Sequence, residues 1–304
     1  MTIRTDPFME LRDYLNNRSA LVDQALDRCL PGEGVLPFSL HQSMRYSLFA
    51  GGKRLRPILM IAASEAVGGT AQQVMHAACA MEMIHTYSLV HDDLPAMDDD
   101  DFRRGRPTNH IAYGEATAIL AGDALLTEAF RLLADAHANL TIPPATALRV
   151  IELVARYSGS QGMVGGQIVD MESEGKEIDF PTLEYIHTHK TGGLILASVQ
   201  VGGLLGGGDE EQLAALTRFG GAAGLAFQIA DDILDVIGDR AELGKNVGSD
   251  QARGKATYPA LLGLAEARQR AHELCDIAVE SLIPLGAAAE TLQVLARYIV
   301  DRSY

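Results

Sequence analysis

Two short stretches of the chain hold more carboxylates than a soluble surface requires. The first reads His91-Asp92-Asp93-Leu94-Pro95-Ala96-Met97-Asp98-Asp99-Asp100-Asp101-Phe102-Arg103-Arg104-Gly105, with six aspartates within ten residues. It falls where the apolar period predicts a helix C-terminus, and Pro95 lacks the amide that would continue the helix. That end of a helix already carries partial negative charge, so crowded carboxylates repel one another there unless a cation intervenes. Hard divalent ions such as Mg²⁺ take oxygen ligands and keep substrate phosphates in their shell, which is the chemistry this pattern suits. The second stretch, Asp231-Asp232-Ile233-Leu234-Asp235, sits inside the apolar run 225–237. Asp231 and Asp235 are four apart, so they share a helical face on which like charges destabilise a bare helix. Ala230, Ile233, Leu234 and Val236 predict a mostly buried segment, where a carboxylate needs a partner or a metal. Either cluster alone also reads as a solvated acidic face. Two of them, each ending an apolar helix, point to one shared site.

Basic residues complete the electrostatics. Gly51-Gly52-Lys53-Arg54-Leu55-Arg56-Pro57 sets three cations beside glycines just ahead of a helix, and Lys190-Thr191-Gly192-Gly193 reads as a small anion-binding turn. Lys245 and Lys255 each follow a glycine. No GxxxxGK[ST] loop is present, which argues against a nucleotide triphosphatase. Cations beside glycine turns in a chain of net charge −15 imply a small polyanionic ligand. The same charge repels phosphate backbones, so nucleic acid is not an expected partner.

The elements that must position these groups are helical. Apolar residues recur three or four apart through 71–91 and 261–282, and 116–136 is rich in Ala and Leu without proline. Alternating β-branched runs with hairpin turns are nearly absent. Gly- and Pro-rich punctuation falls between the periodic blocks, and no linker or repeat divides them. The expected fold is all-α: a single domain, 1–304, of about ten long helices. Thirty glycines are many for such a fold, and Gly220, Gly221 and Gly224 are expected to let helices approach closely. No run approaches the ~18 uninterrupted apolar residues of a membrane span. Cys29, Cys79 and Cys275 are scattered reduced thiols that suit a cytoplasmic location.

In this order the motifs resemble those of the trans-isoprenyl diphosphate synthases, most closely the bacterial farnesyl diphosphate type. The set runs from Gly-Gly-Lys-Arg-x-Arg-Pro through the first Asp-rich motif with Arg-Arg-Gly and Gly166-Gln167-x-x-Asp170. It continues through Lys190-Thr191 and Phe227-Gln228 with the second Asp-rich motif to the two glycine-lysine turns. The resemblance implies an all-α bundle around a central cavity, usually a homodimer. It also implies head-to-tail condensation of isopentenyl diphosphate with dimethylallyl and geranyl diphosphates. About three Mg²⁺ ions, with Mn²⁺ as a substitute, would lie between the motifs, held by Asp92, Asp98 and Asp231, with Asp93, Asp232 and Asp235 in support. Arg103, Lys190, Gln228 and Lys245 match allylic-site positions, and Thr191 would face the developing cation. Arg103, Lys190, Thr191 and Gln228 thus form the catalytic set. Lys53, Arg56, His85 and Arg104 match the isopentenyl site, and Lys255 joins the substrate-binding lysines. No side-chain base is implied, because the departing diphosphate takes the proton.

Product length is expected to depend on Tyr87 and Ser88. They lie five and four residues before Asp92, and five residues of helix rise about 7.5 Å. An aromatic ring there would floor the cavity after a fifteen-carbon product. A terpene cyclase and a non-catalytic subunit of a heteromeric synthase are the alternatives, besides a geranylgeranyl or other chain-length prenyl diphosphate synthase. The first has no need of Lys53 and Arg56 for a second diphosphate, and the second has no use for the two acidic motifs.

Overall fold

The computed structural model describes residues 7–140, 142–237 and 256–301, and turns the helical period of the chain into helices. Helices α1 (Pro7–Cys29), α2 (Phe38–Leu48), α3 (Leu55–Ala66) and α4 (Ala71–Asp92) lead to a hairpin of two short strands. These are β1 (Phe102–Arg103) and β2 (Arg106–Pro107). Then come α5 (Asn109–Tyr113), α6 (Glu115–Leu140), α7 (Pro144–Ser158) and α8 (Met163–Ser173). Helix α9 (Phe180–Ile186) runs through a π-helical turn, His187–Gly192, into α10 (Gly193–Leu205). Among the described residues after α11 (Glu210–Ile237) come the helices Tyr258–Leu262 and Leu264–Ser281, a 3-10 helix Ile283–Ala289, and the helix Glu290–Asp301. Lys245 and Lys255 lie outside the described residues.

Helices α4 and α10 occupy the centre. Thirteen of the 22 residues of α4 are buried, and α10 is apolar on every side. A helix with that pattern must be surrounded. One core cluster joins α4 and α10 to α1, α6 and α7. A second joins α3 and α11 to the C-terminal helices. By length and composition α11 would suffice to cross a bilayer, yet 56% of its most apolar stretch is buried inside the fold, as in a core helix. Both helices that end in acidic motifs begin with reciprocal caps. Gln73 N–H donates to Thr70 Oγ1 and Thr70 N–H to Gln73 Oε1 ahead of α4. Asp209 and Gln212 exchange the equivalent bonds ahead of α11. Each such cap stabilises its helix by about 1 kcal/mol.

The expected close approach is seen at two of the three glycines. A Cβ on Gly220 would meet the Leu196 backbone at 3.1 Å, and one on Gly224 would meet Gly192 Cα at 3.1 Å. Gly221 faces open space, so it plays no such part. The hairpin departs from the strand-free expectation. Arg104 and Gly105 both have positive φ, which suits a two-residue turn of the primed type. Arg-Gly is not one of the dipeptides that announce such a turn.

Of the three cations ahead of α3, Arg54 is structural. It caps α3 with φ 50°, and its guanidinium bonds Glu82 Oε1 on α4 (2.8 Å), Asp23 on α1 (2.8 Å) and the Leu48 carbonyl (2.7 Å). The Arg54 and Glu82 side chains are only 2% and 3% exposed. Removing one partner of a buried pair leaves an uncompensated charge, typically at a cost of about 3–5 kcal/mol. Glu82→Ala should therefore lower the midpoint of chemical denaturation, losing about 3 kcal/mol, with Asp23 and Leu48 softening the loss. A wild-type denaturation curve would show that the pair does not hold α1, α3 and α4 together.

Candidate active site

Where α4 stops, the chain folds back on itself. Pro95 ends the ladder as expected, Asp93 N–H still bonds Leu89 O (3.1 Å), and Leu94 N–H bonds His91 O (3.1 Å). Asp98 N–H then donates to Asp92 O at 2.8 Å, and Asp99 turns with φ 52°. The residues between the first and last aspartates of this motif form that elbow, which returns Asp98 beside Asp92. Both line a central cavity of about 1540 Å³. Asp231 and Asp232 line it from α11, while Asp93 and Asp235 are not on its wall.

The cavity also gathers Lys53, Arg56, His85, Arg103, Arg104, Lys190, Thr191 and Gln228, which lay far apart in the chain. Arg103 is drawn down by the hairpin onto buried Asp93, with Nε 2.7 Å from Oδ1. Arg104 turns the other way and donates to the Gly51 carbonyl, and Gly52 leaves room for its guanidinium. Tyr87 and Ser88 sit on the wall as well, and Ser88 Oγ donates to the His85 carbonyl at 2.9 Å. Apolar side chains, among them Leu89, Ile119, Met163, Val164, Ile168 and Met171, complete the lining.

Lys190 and Thr191 do not form an anion-binding turn. They lie within the π-helical stretch between α9 and α10, where no open loop exists. Such a bulge needs close neighbours. A Cβ on Gly166 of α8 would collide with the Lys190 backbone, and Gly224 of α11 packs against Gly192 on the other side. From α8, Asp170 Oδ2 accepts a 2.6 Å bond from Lys190 Nζ. Its neighbour Gln167 lines the cavity with its buried amide nitrogen and oxygen both lacking a hydrogen bond, as does the buried Nε of Arg56. Buried polar atoms in that state await a ligand or water. Gln167 and Asp170 belong to a motif visible in the chain, but their part in the site appears only from this packing.

Burial dominates the titration of the site. It raises the Asp92 carboxyl to about 6, with Asp98 and Asp93 adding repulsion and Lys190 and Arg103 opposing it. It holds the His85 imidazole well below its ordinary range, helped by Arg56 and Arg104, so His85 is neutral at pH 7. Arg56 is lowered to about 10 by burial, with Glu82 opposing. Lys190 behaves in the opposite way: burial alone would lower it, but Asp170 and Asp92 hold it above its usual value. The donor set fits a hard divalent cation, being all oxygen and short of compensating charge at Asp92. Among the described residues no three acidic, His or Cys side chains converge to enclose an ion unaided. That is the pattern of an ion held by one or two carboxylates and completed by substrate oxygens.

An all-α bundle whose cavity joins two acidic motifs to a cluster of cations and an apolar wall suits a ligand that is anionic at one end and apolar at the other. The chain belongs to the polyprenyl synthetase family, whose model matches residues 38–282. It is similar to a farnesyl diphosphate synthase of Geobacillus stearothermophilus, 51% identical over 86% of this chain and 88% of that one. A geranylgeranyl diphosphate synthase of Cyanophora paradoxa is 46% identical over 96% of this chain and 97% of its own. The crystal structure of an FPP/GFPP synthase from Zymomonas mobilis superposes with a TM-score of 0.85 at 36% identity, covering 96% and 99% of the two chains. The chain is a prenyltransferase of isoprenoid biosynthesis.

The raised Asp92 has a consequence for stability. An acid whose folded pKa exceeds its unfolded value destabilises the fold when ionised, and this penalty disappears as pH falls through about 6 towards 3.8. Discounted for partial solvation, it amounts to about 1–2 kcal/mol at pH 7. Asp92→Asn should raise the melting temperature of the ligand-free protein at pH 7 and flatten its dependence between pH 4 and about 6. An unchanged or lower melting temperature at pH 7 would contradict this electrostatic account.

Proposed function

We propose that the chain condenses isopentenyl diphosphate with dimethylallyl and then geranyl diphosphate to release farnesyl diphosphate. The observation that carries this reading is the single cavity that joins Asp92, Asp98 and Asp231 to the cations of two separate motifs. Its volume of about 1540 Å³ exceeds the ~300–1,000 Å³ usual for one small ligand, which suits two substrates at once. Bound by Asp92, Asp98 and Asp231, about three Mg²⁺ ions, or Mn²⁺ in their place, would neutralise the diphosphate as its bond to carbon breaks.

The chain's own groups do the rest. Lys190, kept charged by Asp170, faces the allylic diphosphate, and Gln228 and the Thr191 hydroxyl place dipoles beside the cation that develops at its C1. Lys53, Arg56 and Arg104 hold isopentenyl diphosphate, with neutral His85 as a hydrogen-bonding partner. The isopentenyl double bond adds to the allylic C1, and the proton lost from its C2 goes to an oxygen of the departed diphosphate. Gln167 contributes amide groups to the same wall. Arg103 stays on Asp93 and orders the acidic elbow. The apolar lining shields the cation from water, and Tyr87 floors the hydrocarbon channel. Exposed Ile111 and Leu120, 52% and 58% accessible, support a homodimer formed across α5 and α6, and the reduced thiols support a cytoplasmic enzyme.

Product analysis tests the reading. With dimethylallyl and isopentenyl diphosphates and Mg²⁺, the wild type should stop at fifteen carbons, and Asp92→Ala or Asp231→Ala should lose several orders of magnitude in turnover. Tyr87→Ala should give twenty-carbon or longer products with unchanged metal dependence. Fifteen-carbon product alone from that variant, at a comparable rate, would place the floor elsewhere. A twenty-carbon product from the wild type would favour the geranylgeranyl reading, which several relatives share.

The two substrate sites are separable. Arg56→Ala should raise the KM for isopentenyl diphosphate about ten- to a hundredfold, the worth of a charge-assisted bond of about 1.5–3 kcal/mol. The KM for the allylic partner should move much less. Equal weakening of both substrates would show that the basic cluster ahead of α3 serves them jointly.

A further inference from the structure

Asp232 stands in the second acidic motif, yet its surroundings differ from those of Asp231. Its side chain is 6% exposed, whereas Asp231 one residue earlier is exposed. A single oxygen, Oδ2, accepts two bonds. One comes from His187 Nε2 at 2.8 Å and the other from the Tyr258 backbone N–H at 2.9 Å. The second satisfies an amide in the first turn of the Tyr258–Leu262 helix, an end that favours a carboxylate. His187 is itself buried and packs its ring at 5.3 Å from that of Tyr258, which in turn meets Phe180 edge-on. His187 Nδ1 is buried without a hydrogen bond, so the proton belongs on Nε2, where the carboxylate accepts it.

The three segments joined at this oxygen are the ones that must agree for the site to work. His187 opens the π-helical turn that carries Lys190 and Thr191, and Asp232 follows Asp231 on α11. Tyr258 starts the helix after Ala256 and Thr257, which line the cavity. A π bulge is intrinsically less stable than the α-helix around it, so its register has to be pinned from outside. Gly166 and Gly224 give it room, and the His187–Asp232 bond ties it by a directed contact to α11.

We propose that Asp232 and His187 are positioning residues that lock the π-helical turn to the second acidic motif, and that Asp232 is not a metal ligand. The metal arms of the test rest on the prenyltransferase reading, whereas the stability arm does not. Asp232→Asn keeps an oxygen able to accept both bonds but removes the charge a divalent ion would need. In the full-length protein, the rise in melting temperature on adding Mg²⁺ with inorganic diphosphate should persist in Asp232→Asn and be lost in Asp231→Asn. The Mg²⁺ concentration for half-maximal turnover should stay within about threefold of wild type in Asp232→Asn. His187→Ala should lower kcat while leaving the KM for isopentenyl diphosphate unchanged. His187→Gln, whose amide nitrogen reaches the place of Nε2, should recover most of the loss. In ligand-free melts, the His187→Ala/Asp232→Ala double variant should lose less than the sum of the single losses, as expected for two partners of one contact. Loss of the Mg²⁺-diphosphate shift in Asp232→Asn would make Asp232 a ligand and overturn the proposal. Additive single losses, or His187→Gln no better than His187→Ala, would equally overturn it. A wild type without prenyltransferase activity would sink the functional reading instead, and the ligand-free melts would still decide the brace.

Discussion

Repulsion between carboxylates gathered in a partly desolvated cavity is the constraint around which this molecule is built. The fold meets it by giving some acids a protein partner. Asp93 has Arg103, Asp170 has Lys190 and Asp232 has His187, at distances of 2.6–2.8 Å. Asp92 remains short of compensation, since burial and two neighbouring aspartates outweigh Lys190 and Arg103. Stability is surrendered there, and in the proposed function the group that weakens the ligand-free protein is the one with affinity to offer a cation and its diphosphate.

Holding such a centre requires a stiff frame, and the frame is made of helices that cannot move independently. The acidic elbow hangs from the end of α4, a helix with thirteen of its 22 residues buried. Its start is capped by Thr70 and Gln73, and its middle is tied to α1 and α3 through Glu82 and Arg54. The second motif hangs in the same way from α11, which packs on α10 and on Leu264–Ser281. Between them the π-helical turn shifts the helical register so that Lys190 and Thr191 reach the cavity. It survives because small residues on α8 and α11 leave space for the wider backbone.

Much of this was legible in the chain. Apolar spacing locates the long helices because burial of one face imposes a period whatever the tertiary detail. Fourteen of the eighteen site residues expected from the chain meet at the cavity, since the motifs that carry them end or begin helices that the period had placed. Asp93 and Asp235 are off its wall, and Lys245 and Lys255 lie outside the described residues. Partner choice was not legible. Arg103 reads as a diphosphate ligand, and nothing in the chain announces that the hairpin also sets it onto Asp93. Asp232 reads as a supporting metal carboxylate beside Asp231, and nothing in the chain announces His187, 45 residues away, against it. The hairpin and the π turn escape for a related reason. Arg-Gly has no strong turn preference, and His-Thr-His-Lys-Thr-Gly has the composition of ordinary helix or loop, so both are settled by packing rather than by local propensity.

The same distinction bears on product length, where a single aromatic residue is easily given too much credit. Tyr87 is 6% exposed, and its ring meets that of His91 edge-on with centroids 5.7 Å apart. His91 in turn hydrogen-bonds the Ile119 carbonyl of α6 at 3.0 Å. It lies so close to Gly122 that a Cβ there would collide with the imidazole. Tyr87 on the cavity wall thus belongs to an edge-to-face pair of rings anchored on the neighbouring helix, and that pair is the channel floor of the proposed function. A ring supported only by its own rotamer would yield to a growing hydrocarbon chain, because displacing one side chain in a loosely packed wall costs little beside the burial of five more carbons, about 0.8 kcal/mol for each CH₂. A ring braced through a hydrogen bond to a second helix resists that push, because moving it would also break the bond or displace α6. On the reading proposed above, length selection would belong to the α4–α6 contact, with Tyr87 as its edge on the cavity wall.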